Sequence, residues 1–533
     1  MIDIFWARGS GPTRALVAAT FAGLVALAWA NRFIQDDAFI SFRYADNLAR
    51  GLGLVWNEGE RVEGYSNFLW TLLIAGGIKL GLDPVPLSQV IGLFLFVVTL
   101  FCSMKLAKLL FRSDALALAA VIFLGTNHTF SAFATGGLET QLQAALLAAA
   151  LYATVLAAEI GELTRARCFG LGLLFSAAIL TRLDSFMPCG IMGLFLAFAL
   201  RRAVPSWRER GKLALFLTGP LVIILGSWFL WKLGYYGSII PNSFHVKGPG
   251  LAAIPRGLNY LYVFVTSYWL IAVLPVAAYA IGRTRLPESP SFLLLGILVA
   301  TWLAYVVALG GDFMEFRFLV PVLPSGFLLL TWMIFVFIRR PVLQAALALL
   351  VLAGSVHHSQ SFAYLPEDAI ESTWRLEHHV ADPDEQWKGI GLVLRDAFGP
   401  SSTVTIATTA AGAIPYYSRL RTIDMLGIND PWISTHGASF LPMAGHGKIT
   451  TLDHLLATRV NLVLSHPILI GGGAPITMVG IPLGDVQATA PERRVVHIPI
   501  DRTHTLLALY LLDHPEIDSV IAARGWRISL HRP

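Results

Sequence analysis

The chain has 533 residues, 55% of them hydrophobic and only 14% charged. A soluble enzyme of this length would carry about a quarter charged residues, so a wholly soluble protein is excluded. The net charge of +5 lies in short clusters between apolar runs and does not point to nucleic acid, and the three cysteines, Cys102, Cys168 and Cys189, all fall in apolar runs and imply no disulfide framework.

The first apolar run begins at Ala15, after Arg8 and Arg14, and reaches Ala28-Trp29-Ala30. That end imitates a signal-peptide cleavage site. The further apolar runs favour a first span over about residues 15–33, with the N-terminus in the cytoplasm. Directly after it stands Gln35-Asp36-Asp37-Ala38-Phe39-Ile40-Ser41-Phe42-Arg43-Tyr44. Two carboxylates at the end of a span are costly unless they are solvated or functional. A helix cap would use only one of them. A short helix is expected over Phe39–Arg50, and a second, over Phe68–Leu80, is too short to span.

Basic clusters at Lys105/Lys108/Arg112, Arg165/Arg167, Arg201/Arg202/Arg208/Arg210, Arg283/Arg285 and Arg339/Arg340 are expected in the cytoplasm. Spans then alternate through 86–109, 115–133, 140–158, 168–181, 186–200, 213–234, 259–281, 291–309, 317–338 and 342–357. With the first, that makes about eleven transmembrane helices, an odd number that puts the tail from His358 outside. The expected architecture is a polytopic α-helical membrane module over 1–357, with an outer loop at 34–85 carrying surface helices, and an extracytoplasmic soluble α/β domain over 358–533.

The polar loops gather on the outer side. Arg182 and Asp184 join two short spans, and a buried pair holding helix ends is as good a reading there as a substrate role. Tyr235–Lys247 mixes aromatics, turn formers and one lysine, and Gly310-Gly311-Asp312 is followed by Arg317. In the tail, a helix is expected over Gln386–Phe398 and another within Thr450–Thr458. Strands are expected over Thr403–Thr408, Arg421–Met425, Asn461–Ser465, Pro475–Ile481 and Val495–Ile500, with a turn at Ala411–Pro415. Gly471-Gly472-Gly473 lacks the lysine of a phosphate loop. The pairs His357-His358 and His378-His379 have no metal-ligand spacing, and a divalent-cation requirement is left open.

Asp36–Tyr44, Glu60–Trp70 and Pro241-Asn242-Ser243-Phe244 resemble the GT-C superfamily of membrane glycosyltransferases. More narrowly, they resemble the mycobacterial cell-wall terminal arabinofuranosyltransferase and its bacterial relatives. Gly310-Gly311-Asp312 with Arg317, Ala411–Tyr417 and Arg421–Asp424 extend the resemblance, which covers about residues 34–432. The resemblance implies a multi-pass protein of the bacterial inner membrane, with an outer cavity between its helical module and its outer domain. It implies a sugar donor linked to a polyprenyl phosphate, and a glycan, lipid or protein acceptor. No nucleotide-binding motif competes with that donor.

By resemblance, Asp36 or Asp37 is the base that deprotonates the acceptor. Asp37 is the better choice, because Asp36 is nearer the span end and suits a cap or a partner for Arg43 or Arg182. Arg43, Arg182, Lys247 and Arg317 are candidates for the donor phosphate. Glu63, Tyr65, Asn67, Asp184, Asn242, His245 and Asp312 are candidates to bind substrate. Sugar identity, anomeric outcome and acceptor do not follow from these motifs. A lipid-sugar flippase would need internal repeats and mid-membrane ionisable residues, and neither is seen. A non-catalytic envelope-assembly protein would have no need of the acidic pair.

Overall fold

The computed structural model describes residues 11–161, 163–204, 206–247, 253–282, 289–362, 370–441, 445–467, 469–471 and 493–531. The chain forms two compact units. The first comprises residues 1–33, 85–231 and 250–372, and the second 34–84, 232–249 and 373–533. The boundary expected at 357/358 falls inside one helix, Pro341–Ser361.

The first unit is helical because its apolar runs are long and charged groups keep to the end turns of its long helices. Among the described residues, six helices are long and apolar enough to cross a bilayer: Thr13–Ala30, Pro84–Phe111, Thr140–Ile160, Trp207–Tyr236, Pro290–Leu309 and Pro341–Ser361. A seventh span is made if Ile254–Ser267 and Leu270–Val276, bent by 91°, count as one. Trp269, in the left-handed region at φ 56°, makes that break. Of the other positions where charge alternation puts spans, Asp114–Thr126, Leu183–Ala199 and Leu323–Phe337 hold shorter apolar helices. Length therefore carries six or seven of the expected spans.

The span expected over 115–133 is interrupted. Ser113 caps Asp114–Thr126 through the Leu116 amide, and Asn127 ends that helix and caps a new one, His128–Ala132. Helices approach closely where a side chain is missing: a Cβ on Gly257 would lie 2.3 Å from the Val307 carbonyl oxygen.

The second unit is built on a mixed sheet. Strands β1 (Thr405–Thr408), β2 (Arg421–Asp424), β5 (Leu462–Ser465), β6 (Leu469–Gly471), β7 (Arg493–Pro499), β8 (His504–Tyr510) and β9 (Arg527–His531) run in the order β2-β1-β5-β8-β7-β9, with β6 also on β8. Strands β3 (Ala438–Ser439) and β4 (Lys448–Ile449) form a separate ribbon. The β2-β1-β5 part is parallel and the rest antiparallel. Every residue of β1 and β5 is buried, as parallel central strands require. Ala407, Ile423, Met425, Ile433, Leu455, Val463 and Leu509 close the core.

Helices Trp387–Phe398 and Leu452–Ala457 form where the sequence places them. The expected turn at Ala411–Pro415 becomes the start of a short helix, Ala413–Ser418. The expected strand at 475–481 lies outside the described residues, as do Gly472 and Gly473. Strand β8 was not expected. Its Leu-Leu-Ala-Leu run favours a helix, and six paired positions with β7, from Arg494↔Tyr510 to Pro499↔Thr505, make it a strand. The two surface helices form over Asp36–Ala49 and Phe68–Lys79.

Candidate functional site

Helix Asp36–Ala49 starts on the acidic pair. Both oxygens of Asp36 are occupied, accepting from the Gly412 amide at 2.9 Å and the Ala413 amide at 2.7 Å. The approach requires glycine, since a Cβ at 412 would sit 1.9 Å from the Asp36 carbonyl oxygen. The partner of Asp36 is thus tail backbone, and neither Arg43 nor Arg182 as the sequence suggests. Burial pushes the Asp36 carboxyl up to about 7, with Asp37 adding to the rise and the two amides opposing it. Asp37, one residue on, is half-buried.

Arg43, expected as a phosphate ligand, is committed to protein partners. Its guanidinium is buried and donates to four carbonyl or amide oxygens: Trp56 O at 2.7 Å, Leu420 O at 2.8 Å, Asn57 Oδ1 at 3.0 Å and Pro415 O. It also lies 4.7 Å over the Trp56 ring. Such saturation leaves no fork for an anion. Tyr44 is likewise spent, donating to Val62 O at 2.8 Å and accepting from Gly64 N at 2.9 Å. Asp424 accepts from the Leu426 amide and from the Asn429 amide and side chain, while burial raises its carboxyl to about 6.

Most of the expected substrate-binding residues of this unit are also part of its framework. Asn242 donates to the Gly427 and Ile428 carbonyls and accepts from Ser434 Oγ at 2.7 Å. Asn67 pairs with Ser41, and the Tyr65 hydroxyl lies 3.2 Å from that of Tyr236. Glu63 is held by Lys232 at 2.8 Å, with the lysine wholly buried. Burial raises the Glu63 carboxyl to about 7, against the pull of Lys232. These polar groups are committed to protein partners, so a ligand would have to displace bonds already made. The backbone of His245 and Lys247 belongs to helix Asn242–Lys247, and their side chains lie outside the described residues.

In the first unit, four expected site residues come together around Phe318. Arg182 clamps Glu139 at 2.7 Å and Asp184 at 2.8 Å, and lies 5.6 Å over the Phe318 ring. Arg317 lies 5.2 Å from the same ring and bonds Asp312 Oδ2 through Nε at 2.7 Å. Gln143 fixes the other oxygen of Asp184 at 2.6 Å. Arg182, already shared by two carboxylates, is the weaker phosphate candidate. Among the described residues, Arg317 meets one carboxylate, through Nε. Phe316, at φ 44°, holds the turn into Arg317 in a strained conformation.

Sequence reasoning missed three groups. Lys232 was absorbed into an apolar run. Glu139 was seen only as part of a loop, and no partner was assigned to it. Glu315 is buried and accepts from His358 Nε2 at 2.8 Å and Thr129 Oγ1 at 3.3 Å, with His128 3.9 Å away. The signal was the single histidine of the 357–358 pair that faces inward: His358 stacks on Tyr268 at 4.2 Å, while His357 meets Trp269. No metal-binding group of three or more His, Cys, Asp or Glu occurs among the described residues.

Residues 374–499 match a family model described as a domain of unknown function (DUF8728). The terminal β-(1→2)-arabinofuranosyltransferase of Corynebacterium glutamicum is 28% identical over 58% of this chain and 50% of its own length. That of Mycobacterium tuberculosis is 26% identical over 55% of this chain and 51% of its own. The chain thus spans about half the length of these curated relatives. The crystal structure of ArnT from Cupriavidus metallidurans bound to undecaprenyl phosphate superposes with a TM-score of 0.59, at 12% identity, over 93% of this chain and 98% of that one. The Archaeoglobus fulgidus oligosaccharyltransferase in its apo form gives 0.51 at 12% identity, over 92% of this chain and 74% of that one. The sequence resemblance to terminal arabinofuranosyltransferases therefore holds, and the fold is similar to those of ArnT and of the archaeal oligosaccharyltransferase.

Proposed function

We propose that this chain, a relative of terminal β-(1→2)-arabinofuranosyltransferases with the fold of ArnT, is itself an integral-membrane glycosyltransferase. It transfers a sugar, a pentose such as arabinofuranose, from a polyprenyl-phosphate donor to an extracytoplasmic glycan, lipid or protein. The observation that carries this reading is the division of labour in the acidic pair. Asp36 is fastened to the Gly412 and Ala413 amides, and Asp37 stands beside it on the first turn of the helix. The reaction needs one carboxylate to take the acceptor proton as the glycosidic bond forms. Asp37 is assigned that role and Asp36 the anchoring one.

The test is transfer of labelled pentose from a polyprenyl-phosphate donor by the purified full chain. Incorporation by the parent and none by the Asp36→Asn/Asp37→Asn variant is expected. Equal incorporation by both would refute the reading.

The departing phosphate needs cationic donors. Arg317 and Lys247 are assigned to it, and Arg182 is assigned to holding Glu139 and Asp184. Arg317→Ala is expected to raise the donor KM, because losing one partner of a desolvated charge pair costs about 2–5 kcal/mol. Acceptor KM should move little. Steady-state kinetics with each substrate varied in turn decides this, and an unchanged donor KM would leave Arg317 as the partner of Asp312 alone.

The C-terminal domain and the acidic pair are assigned to the extracytoplasmic side of the inner membrane, from the positions of the basic clusters. Glu58 and Arg208 are both exposed. A cysteine at Glu58 should react with an impermeant thiol reagent on intact cells, and one at Arg208 only after permeabilisation. Reaction at 208 from outside would invert the assignment.

A further inference from the structure

Two residues before Arg317 lies a carboxylate that the transfer step does not use. Glu315 is 1% exposed. Its Oε1 accepts from His358 Nε2 at 2.8 Å and from Thr129 Oγ1 at 3.3 Å. Both partners are themselves fixed. The His358 ring stacks on Tyr268 at 4.2 Å and on Phe362 at 4.7 Å. Thr129 follows the helix break at Asn127, and its amide donates to the Tyr268 hydroxyl at 2.8 Å. The backbone is held as well. The Glu315 amide donates to Glu371 O at 2.9 Å, and the Glu371 amide returns to Phe313 O at 2.6 Å.

Phe316 comes next, in the left-handed region at φ 44°. A phenylalanine keeps that conformation only where its surroundings over-determine it. Its ring is wholly enclosed, with Tyr260, Phe264 and Phe362 each within 5.4 Å between ring centres. The turn then delivers Arg317. Its Nε donates to Asp312 Oδ2 at 2.7 Å, and Asp312 Oδ1 takes the Phe313 amide at 3.0 Å. Among the described residues, the two terminal nitrogens of Arg317 make no hydrogen bond. Those nitrogens form the edge that pairs with two phosphate oxygens. An apolar side chain would fill the place of Glu315 without the cost of burying a charge. What the carboxylate adds is direction, because hydrogen bonds select one arrangement of the turn where packing alone would admit several.

We propose that Glu315 is a positioning residue for the donor: bonded to His358 and Thr129, it fixes the turn at Phe316 and so presents the open edge of Arg317 to the donor phosphate. The inference rests on the transferase reading and on the assignment of Arg317 to the phosphate. Glu315 acts through Arg317 and takes no part in the bond changes.

The experiment uses the full chain in detergent or nanodiscs and has two readouts. One is steady-state transfer from a polyprenyl-phosphate pentose, with donor and acceptor varied in turn. The other, independent of turnover, is hydrogen exchange at the Leu319 and Val320 amides, which bond to Phe316 O and Arg317 O. Glu315→Leu should raise the donor KM by about ten- to a hundredfold, the effect of a displaced charged contact, with acceptor KM and kcat near the parental values. Both amides should exchange faster, while helix Pro290–Leu309 stays protected. Glu315→Gln keeps an oxygen for His358 and Thr129 and should stay within about twofold of the parent. Adding Glu315→Leu to Arg317→Ala should raise the donor KM no further. If Glu315→Leu does not fold, His358→Phe carries the same expectation, since it keeps a stacked ring and removes the bond. A purely structural role would lower the unfolding temperature and kcat and leave the donor KM alone. Parental donor KM in the folded variant, with Arg317→Ala raised, overturns this inference alone. Parental donor KM in Arg317→Ala overturns the phosphate assignment and this inference with it. No transfer by the parent overturns the transferase reading, and amide exchange then decides whether Glu315 fixes the turn.

Discussion

Asp37→Asn is expected to slow transfer by about a hundred- to ten-thousand-fold, the loss typical of a missing general base. The protein should still fold and bind donor, because the amide keeps the shape. Asp36→Asn should behave differently. Its carboxylate accepts from two backbone amides, and an amide side chain has one oxygen to offer where two are used. Stability should fall before the chemical step is touched. Single-turnover transfer, donor binding and thermal unfolding, measured on both variants, separate the two roles. Full transfer by Asp37→Asn would move the base elsewhere.

The pH dependence has a sign. Asp36 is raised to about 7 in the folded protein, above the value near 4 of an unfolded carboxyl. The folded state therefore holds the proton more tightly, and the stability this contributes is present below about pH 4 and lost as pH rises through about 7. Glu63, raised to about 7, and Asp424, raised to about 6, act in the same direction. The unfolding temperature should fall between pH 5 and pH 8, with a shallower slope in Asp36→Asn.

Lys232→Met is expected to cost about 3–5 kcal/mol at pH 8, the penalty for breaking one side of a buried ion pair. The lysine is fully enclosed, 2.8 Å from Glu63. Glu63→Gln should cost a comparable amount, because it takes the carboxylate away from a buried ammonium. The double variant Lys232→Met/Glu63→Gln should recover most of the loss, since two neutral groups carry no desolvation debt. The Lys232→Met penalty should also shrink at pH 5. There Glu63, already raised to about 7, takes a proton and becomes neutral. Thermal or denaturant unfolding of the three variants at both pH values gives the coupling. Additive losses in the double variant would show that the two charges do not act as a pair.

Much of the architecture was legible because it depends on short-range pattern. Apolar runs about twenty residues long read as spans wherever they are uninterrupted, and short apolar runs between polar or turn residues marked strands such as Leu462–Ser465, which is buried throughout. The acidic pair and its helix were legible for the same reason: Asp36-Asp37 next to a span is a local anomaly that needs no partner to be noticed. Strand β8 was not, since its residues favour helix when taken alone and become a strand only when β5, β6 and β7 supply the hydrogen bonds.

The roles of the polar residues were decided by the tertiary structure. Asp36 meets its amides 376 residues along the chain, and Arg43 donates to Leu420 377 residues away. A guanidinium in a polar loop looks the same in sequence whether it awaits a phosphate or is already saturated by carbonyls. Lys232 illustrates the converse: one charge within the expected span 213–234 passes unremarked until Glu63 is found beside it. Residue type and spacing determined which groups could carry charge at this membrane surface. Which of them have that charge already satisfied depends on partners brought together by folding, and local spacing holds no record of those partners.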